Sequence, residues 1–257
     1  MKVLICGKGG SGKSTLTSLL AGEFVRRKQK VLVVDGDESN YGLHALLGLE
    51  LPSDLLNYFG GKKGVAAALL GKGDAVEEFE KGWKGFRREK PKLSIDDIPH
   101  ELLSEGDGIK LVSIGKIRQF GEGCACPMGA LLRELLTNIE TDEGEVVLVD
   151  TDAGLEHFGR AVEQGADIVL VVVDPSYESI GLSHRIAQLC RAAGKPVHLV
   201  LNKVDEHTRD TLLESIEREG VIGELPMSPE LFKAGLAGRR CTDGGEPVKR
   251  IADALLG

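Results

Sequence analysis

The sequence predicts an α/β fold, a doubly wound, mostly parallel sheet with helices on both faces. Short β-branched apolar runs recur along the chain, helix-like stretches separate them, and a glycine-rich loop joins the first run to the first helix. Strands buried on both faces of a parallel sheet read as unbroken apolar runs, not as alternating ones. Lys2 to Cys6 (KVLIC) is the first. After the loop, Leu16, Leu19, Leu20 and Phe24 fall at i, i+3, i+4 and i+8, the stripe of a helix lying on the sheet. Lys30 to Asp35, Ile109 to Ile114, Glu145 to Asp150, Asp167 to Asp174 and Val197 to Asn202 are the later strand-like runs. Ile180 to Ala193 and Thr208 to Glu219 read as helices. Ligands of such folds sit at the carboxyl ends of the strands.

One segment breaks the rhythm. From Leu55 to Gly108 glycines and lysines multiply and strand signals vanish, which predicts a solvated helical insertion. A sharper reading is a partner-docking face, because Lys81, Lys84, Arg87, Arg88, Lys90 and Lys92 surround Trp83 and Phe86. A chain of 257 residues with 42% hydrophobic side chains sits near the upper size for one domain, so residues 1–257 are expected as one domain with a variable helical insertion at about 55–108.

Net charge and cysteine use narrow the function classes. A formal charge of −8 and a pI near 5.4 argue against nucleic-acid binding, which draws its affinity from Lys and Arg on phosphates. No apolar run approaches the roughly 20 residues of a membrane span, and no signal peptide is read at the N-terminus, so a cytoplasmic location without stable membrane insertion is expected. Five cysteines, an odd number, argue against a disulfide framework and leave metal binding or core packing. Cys6 and Cys190 read as core, and Cys241 as a surface or half-buried thiol.

Gly7 to Ser14 (GKGGSGKS) satisfies the phosphate-loop pattern between a strand and a helix. Gly7, Gly9, Gly10 and Gly12 let the backbone curl so that N–H groups around Ser11 and Thr15, with the helix N-terminus, face phosphates. Lys13 reaches the β- and γ-phosphates in such loops, and the Ser14 hydroxyl ligates Mg²⁺. The extra lysine, Lys8, makes the loop resemble the deviant Walker A ATPases, which include the nitrogenase iron protein, the MinD cell-division ATPases and the chromosome-partition ATPases. That resemblance implies a P-loop NTPase fold, ATP as the nucleotide, and a Lys8 that crosses a nucleotide-sandwich dimer to touch the other subunit's phosphates. It also assigns the acidic strand ends. Asp37, in VVDGDESN, positions or deprotonates the attacking water, and Asp35 lies near the metal shell; Asn40 falls in the same first switch. Asp150 resembles a Walker B aspartate that holds Mg²⁺, and the following loop through Gly154 resembles the second switch.

Base recognition is expected at Asn202 and Lys203. The stretch Asn202 to Asp205 (NKVD) also matches the pattern by which many GTPases read guanine, which keeps open a GTP-dependent nickel chaperone of the hydrogenase or urease maturation type. A MinD-like positioning ATPase without metal cargo is a third reading. Its membrane anchor would have to be the C-terminal tail, where Val248, Ile251, Ala252 and Leu255 fall at helical spacing but more simply pack on the domain.

Neither alternative explains GEGCACPMGALLR, Gly121 to Arg133. Cys124 and Cys126 offer two soft ligands, half of a tetrahedral site; on a two-fold axis, two subunits would supply four sulfurs at about 2.3 Å from Zn²⁺ or a similar ion. The helix is expected to begin after Pro127. With the deviant loop and AGLEHFGR after Asp150, this turn resembles the CooC-type nickel-insertion ATPases of carbon monoxide dehydrogenase maturation. The resemblance implies a homodimer formed with nucleotide or metal, Ni²⁺ or Zn²⁺ on the cysteine pair, and ATP hydrolysis coupled to delivery into a client nickel enzyme, carbon monoxide dehydrogenase or the related acetyl-CoA synthase.

Overall fold

The computed structural model describes residues 1–87, 91–117 and 126–257. Its centre is an eight-stranded sheet in the order β3-β4-β2-β5-β1-β6-β7-β8. The strands are β1 (Lys2–Gly7), β2 (Lys30–Asp35), β3 (Leu103–Gly106), β4 (Ile109–Ser113), β5 (Glu145–Asp150), β6 (Ile168–Val173), β7 (Val197–Val204) and β8 (Val221–Pro226). Every pairing is parallel except β3 with β4. The expected doubly wound α/β architecture is what the chain forms.

The apolar runs are strands because each buries both faces. Leu4, Cys6, Leu32, Val34, Val147 and Val149 point to one side, where α3 (Leu55–Tyr58), α6 (Cys126–Asn138) and α8 (Tyr177–Ala192) cover them. Val3, Ile5, Val31, Val33 and Leu148 point to the other, under α1 (Lys13–Arg26), α2 (Leu43–Leu47) and α11 (Gly245–Leu256). The period of two along a strand makes this partition. Cys6 and Cys190 are core residues as expected, and Cys241 is also buried, closed over by the layer of α1 and α2. The tail helix α11 sets Val248, Ile251, Ala252 and Leu255 into the core, so its apolar stripe is spent on the fold. Among the described residues no helix is long and apolar enough to cross a membrane.

Several expectations are corrected. The stretch from Leu55 to Gly108 holds α4 (Gly61–Leu69), α5 (Asp74–Arg87) and short 3-10 turns, but it also contributes strand β3. Trp83 and Phe86 are 4% and 1% exposed and pack against Phe59 with ring centroids 4.7 and 5.6 Å away, so they are core and not a docking face. Of the basic residues around them, Arg88 and Lys90 lie outside the described residues. The helix expected over Thr208 to Glu219 is only α9 (Arg209–Glu214), and α10 (Pro229–Leu236) was not foreseen. Helix α6 starts at Cys126, one residue before Pro127, which fits a proline's tolerance of the first helical turn.

Candidate functional site

The carboxyl ends of β1, β2, β5 and β7 open on one side of the sheet, where a cavity of about 710 Å³ is lined by the glycine loop, Asp37, Asn40 and Asn202. Its floor is the turn from β1 into α1. Gly10 and Gly12 hold φ of 76° and 104°, and Gly7 holds 147°. A Cβ on Gly12 would stand 2.1 Å from Asn202 Nδ2, so close approach as well as backbone sign requires glycine there. Helix α1 begins at Lys13 and brings its N–H groups and positive dipole end to the cavity. Lys13 is buried, with Nζ donating at 3.4 Å to the carbonyls of Gly7 and Lys8.

Behind the loop lies a carboxylate pair. Asp35 and Asp150 end neighbouring strands in register. Ser14 Oγ donates to Asp150 Oδ2 at 2.6 Å, Asn40 Nδ2 donates to Ser14 Oγ at 2.7 Å, and Thr17 Oγ1 lies 3.5 Å from Asp150 Oδ1. Burial pushes the Asp150 carboxyl up to about 7, against the pull of the Ser14 hydroxyl. Burial likewise raises Asp35 to about 6, although the Lys116 ammonium 2.7 Å from its Oδ2 works the other way. Asp35 Oδ1 is buried with no hydrogen-bond partner among the described residues. Two carboxylates and a hydroxyl, one oxygen of them orphaned, are a hard donor set that fits Mg²⁺. They fall short of a full shell, which phosphate oxygens would complete. Among the described residues no group of three or more His, Cys, Asp or Glu side chains converges as a ready metal site.

Asp37 lines the cavity with one oxygen pinned: Ser39 N, Ser39 Oγ and Asn40 N donate to Oδ1 at 2.8, 2.7 and 3.2 Å. The turn beneath it is fixed by a residue that sequence reasoning missed. Lys116, almost fully buried after β4, donates to the carbonyls of Asp37 (2.6 Å) and Asn40 while pairing with Asp35. A lysine between a glycine and an isoleucine gives no sign of this, because its partners lie some eighty positions earlier in the chain.

Asn202 and Lys203 grip the glycine loop from the end of β7. Asn202 Nδ2 donates to the Ser11 carbonyl at 2.7 Å, and Lys203 Nζ donates to the Gly10 carbonyl. Lys203 does so from a left-handed backbone, φ 59°, a strained conformation for a long side chain. Asp205 does not reach the cavity. Its Oδ1 is consumed by His207 N, Thr208 N and Thr208 Oγ1 in the turn before α9. The far cavity wall is apolar and unforeseen: Met227, Phe232 and Leu236 on and before α10 line it, with Phe232 67% and Leu236 80% exposed.

Lys8 points away from the phosphate cradle. Its Nζ lies 3.8 Å from Asp174 and 4.0 Å from Glu178, at the mouth of β6 and the start of α8. In the loop after β5, Gly154 (φ 88°) donates its N–H to the Gly7 carbonyl at 3.2 Å, and Arg160 pairs with Asp152 at 3.3 Å. Cys126 is the exposed first residue of α6, and its sulfur is disulfide-bonded. Cys124 lies outside the described residues.

A phosphate loop, two acidic strand ends and a carboxylate-bearing turn around one cavity match a known family model, the CobQ/CobB/MinD/ParA nucleotide binding domain, over residues 2–240. The chain belongs to this family. It is thereby a nucleotide-binding P-loop ATPase of the MinD/ParA kind. The uncharacterized ATP-binding protein MJ0084 of Methanocaldococcus jannaschii is 48% identical over 257 residues, 99% of each chain. The carbon monoxide dehydrogenase accessory protein CooC of Rhodospirillum rubrum is 30% identical, covering 100% of this chain and 95% of its own. In fold, the septum site-determining protein MinD of Pyrococcus horikoshii, solved with Mg-ADP, superposes with a TM-score of 0.69 at 15% identity, over 99% of this chain and 95% of its own.

Proposed function

We infer that this member of the MinD/ParA ATPases is a homodimeric, Mg-ATP-dependent metallochaperone that delivers nickel to carbon monoxide dehydrogenase or the related acetyl-CoA synthase. The observation that carries the reading is the Cys-Ala-Cys sequence of Cys124 to Cys126, whose last residue opens the helix α6 beside the nucleotide switch, in a chain 30% identical end to end to a CooC. Gly129, one turn into α6, lies so near Arg160 that a Cβ would meet Arg160 Cδ at 2.1 Å, and Arg160 in turn holds Asp152 beyond Asp150. A metal on the thiols and a nucleotide on the loop therefore act on adjoining pieces of the chain.

In this reading the glycine loop and Lys13 hold the phosphates, and Asn202 and Lys203 set the edge against which the base rests. Asp37, its Oδ1 fixed by three donors, orients a water for in-line attack on the γ-phosphorus and accepts its proton as the bond to the bridging oxygen breaks. Ser14, Asp150 and Asp35 would hold Mg²⁺, whose charge, when bound, would supply electrostatic neutralisation of the phosphates. Lys8 is held in cis by Asp174 and Glu178 until a second copy presents its phosphates, and supplied in trans it acts as an arginine finger does, a gain on the order of 10³ to 10⁵ in rate. The GTP-dependent alternative is weakened by Asp205, which lies outside the cavity lining with its Oδ1 committed to the turn before α9, and the membrane-positioning alternative by α11, whose apolar stripe is buried.

Metal analysis of reduced, anaerobically purified protein tests the reading. About one nickel or zinc per two chains is expected, with a shift toward dimer in light scattering, and both are lost when Cys124 and Cys126 are replaced by Ser while ATP binding survives. Undiminished metal in the double-Ser protein overturns the thiol site; a tenfold preference for GTP over ATP, about 1.4 kcal/mol, overturns the nucleotide assignment.

A further inference from the structure

A buried lysine in a metal-phosphate site needs an explanation. The Lys116 side chain is 1% exposed, as is that of Asp35, and its three ammonium hydrogens are all spent: on Asp35 Oδ2 at 2.7 Å, on the Asp37 carbonyl at 2.6 Å and on the Asn40 carbonyl. Burying a lysine that deeply costs several kcal/mol unless it is fully paired, so the position is demanding rather than incidental. What it neutralises is one half of the Asp35–Asp150 pair, whose three other oxygens are Asp150 Oδ2 on Ser14, Asp150 Oδ1 at 3.5 Å from Thr17 Oγ1, and Asp35 Oδ1, which has no partner among the described residues.

Without Lys116 the strand ends would present two buried carboxylates and a hydroxyl with no cation between Asp35 and its neighbours. Such a set attracts any divalent ion, and the order of affinities at oxygen and nitrogen sites puts Ni²⁺ and Zn²⁺ ahead of Mn²⁺. We propose that Lys116 is the resident cation of the Mg²⁺ site: it occupies Asp35 and keeps the Asp35–Asp150 pair closed to free divalent ions until nucleotide phosphates arrive with theirs. Its other two bonds make it a positioning residue for the turn that carries Asp37. The exclusion stands on the geometry alone. Its consequence for cargo, that nickel meant for the thiols is kept off the ATPase centre, rests on the function inferred above.

Lys116→Gln removes the charge but keeps an amide that donates to the two carbonyls, so it is the neutral variant best suited to folding. In nucleotide-free protein, Mn²⁺ binding measured by titration calorimetry is expected to tighten at least tenfold over wild type, and thermal melts are expected to show Mn²⁺ stabilising the variant more than the wild type. Asp35→Asn combined with Lys116→Gln removes both charges and is expected to return Mn²⁺ affinity to the wild-type level or below. Lys116→Arg keeps the charge and is expected to retain wild-type Mn²⁺ affinity while kcat falls with little change in KM, because a guanidinium cannot reproduce the three bonds. Mn²⁺ affinity in Lys116→Gln equal to or weaker than wild type overturns the proposal, as does equal tightening in the doubly substituted protein. A Ni²⁺ arm separates the two readings. Lys116→Gln is expected to take up an additional nickel per chain whether or not Cys124 and Cys126 are Ser, whereas failure of the thiol site alone would leave the Mn²⁺ result unchanged.

Discussion

Gly12→Ala is the sharpest perturbation of the nucleotide cradle. Gly12 holds φ 104°, outside the left-handed well that L-residues occasionally visit, which alone costs about 1–3 kcal/mol for a residue with a Cβ. The new Cβ would sit 2.1 Å from Asn202 Nδ2. Asn202 must then swing away and surrender its 2.7 Å bond to the Ser11 carbonyl, about 1 kcal/mol more. The combined penalty is about 2–4 kcal/mol. If the loop stays in place the loss appears as stability, and if the loop relaxes it appears as nucleotide affinity, since binding must restore the cradle. Thermal melts together with fluorescent ATP-analogue titration capture both. The sum of the two losses is expected in that range, and Asn202→Ala in the same chain should recover part of it, because the clash vanishes while the φ strain remains. Two unchanged readings for Gly12→Ala, or strictly additive effects in the double variant, would refute the reasoning.

Asp37→Asn is expected to bind Mg-ATP normally while turnover falls by about 10²-fold or more, since the amide orients water but accepts no proton; wild-type kcat would reject the role. Phe86→Ala empties the aromatic cluster under α4 and α5 and should cost about 3–5 kcal/mol, against about 0.5 kcal/mol or less for Lys84→Ala on the exposed side of the same helix; similar melting temperatures for both would return the insertion to a docking role. The buried carboxyls set a pH dependence of the metal-free, nucleotide-free protein. Asp35 and Asp150 are raised to about 6 and about 7. The folded state therefore binds more protons than the unfolded chain, and the contribution is fully present below the ordinary carboxyl range and lost as pH rises from about 4 to 7. Melts in EDTA should fall across that window, and less steeply in Asp150→Asn; identical slopes would exclude the carboxyl origin.

Much of the fold was legible because the central strands are buried on both faces and so write themselves as unbroken Val, Leu and Ile runs. β3 and β8 escaped for physical reasons. Leu103–Gly106 is a four-residue antiparallel edge with one apolar side chain buried in part, and Val221–Pro226 is interrupted by Gly223, where a Cβ would strike Ile251 at 2.3 Å. Trp83 and Phe86 invited a docking reading because their charged neighbours dominate the local sequence, whereas α5 turns Lys81 and Lys84 outward and the two rings inward. The phosphate loop was legible because its spacing encodes its own geometry. Lys116 and the apolar wall of α10 were not, since each acquires meaning only from partners brought near by the sheet order.

That same long-range geometry bears on how metal and nucleotide communicate in the proposed chaperone. The sequence that carries Cys124 is flanked by Lys116 and Ile117 on one side and by Cys126, the first residue of α6, on the other. On the first side, Lys116 is bound to Asp35 and to the Asp37 and Asn40 carbonyls, and Tyr41 Oη donates to the Ile117 carbonyl at 2.6 Å. On the second, Gly129 touches Arg160, which pairs with Asp152 after the Asp150 strand end. Both ends of the stretch are thus tied to the two loops that the phosphates of a nucleotide would rearrange. In the proposed function, a change in either loop would displace the residues that flank the cysteine pair, and a metal bound to that pair would constrain the loops in return. Linkage makes the two effects equal in free energy: whatever factor ATP imposes on metal affinity, metal imposes on ATP affinity. The sign depends on whether the nucleotide-bound loops bring the attachment points into the geometry that four thiolates from two chains require or pull them out of it. Reciprocal titrations of metal with and without a non-hydrolysed ATP analogue read that sign directly.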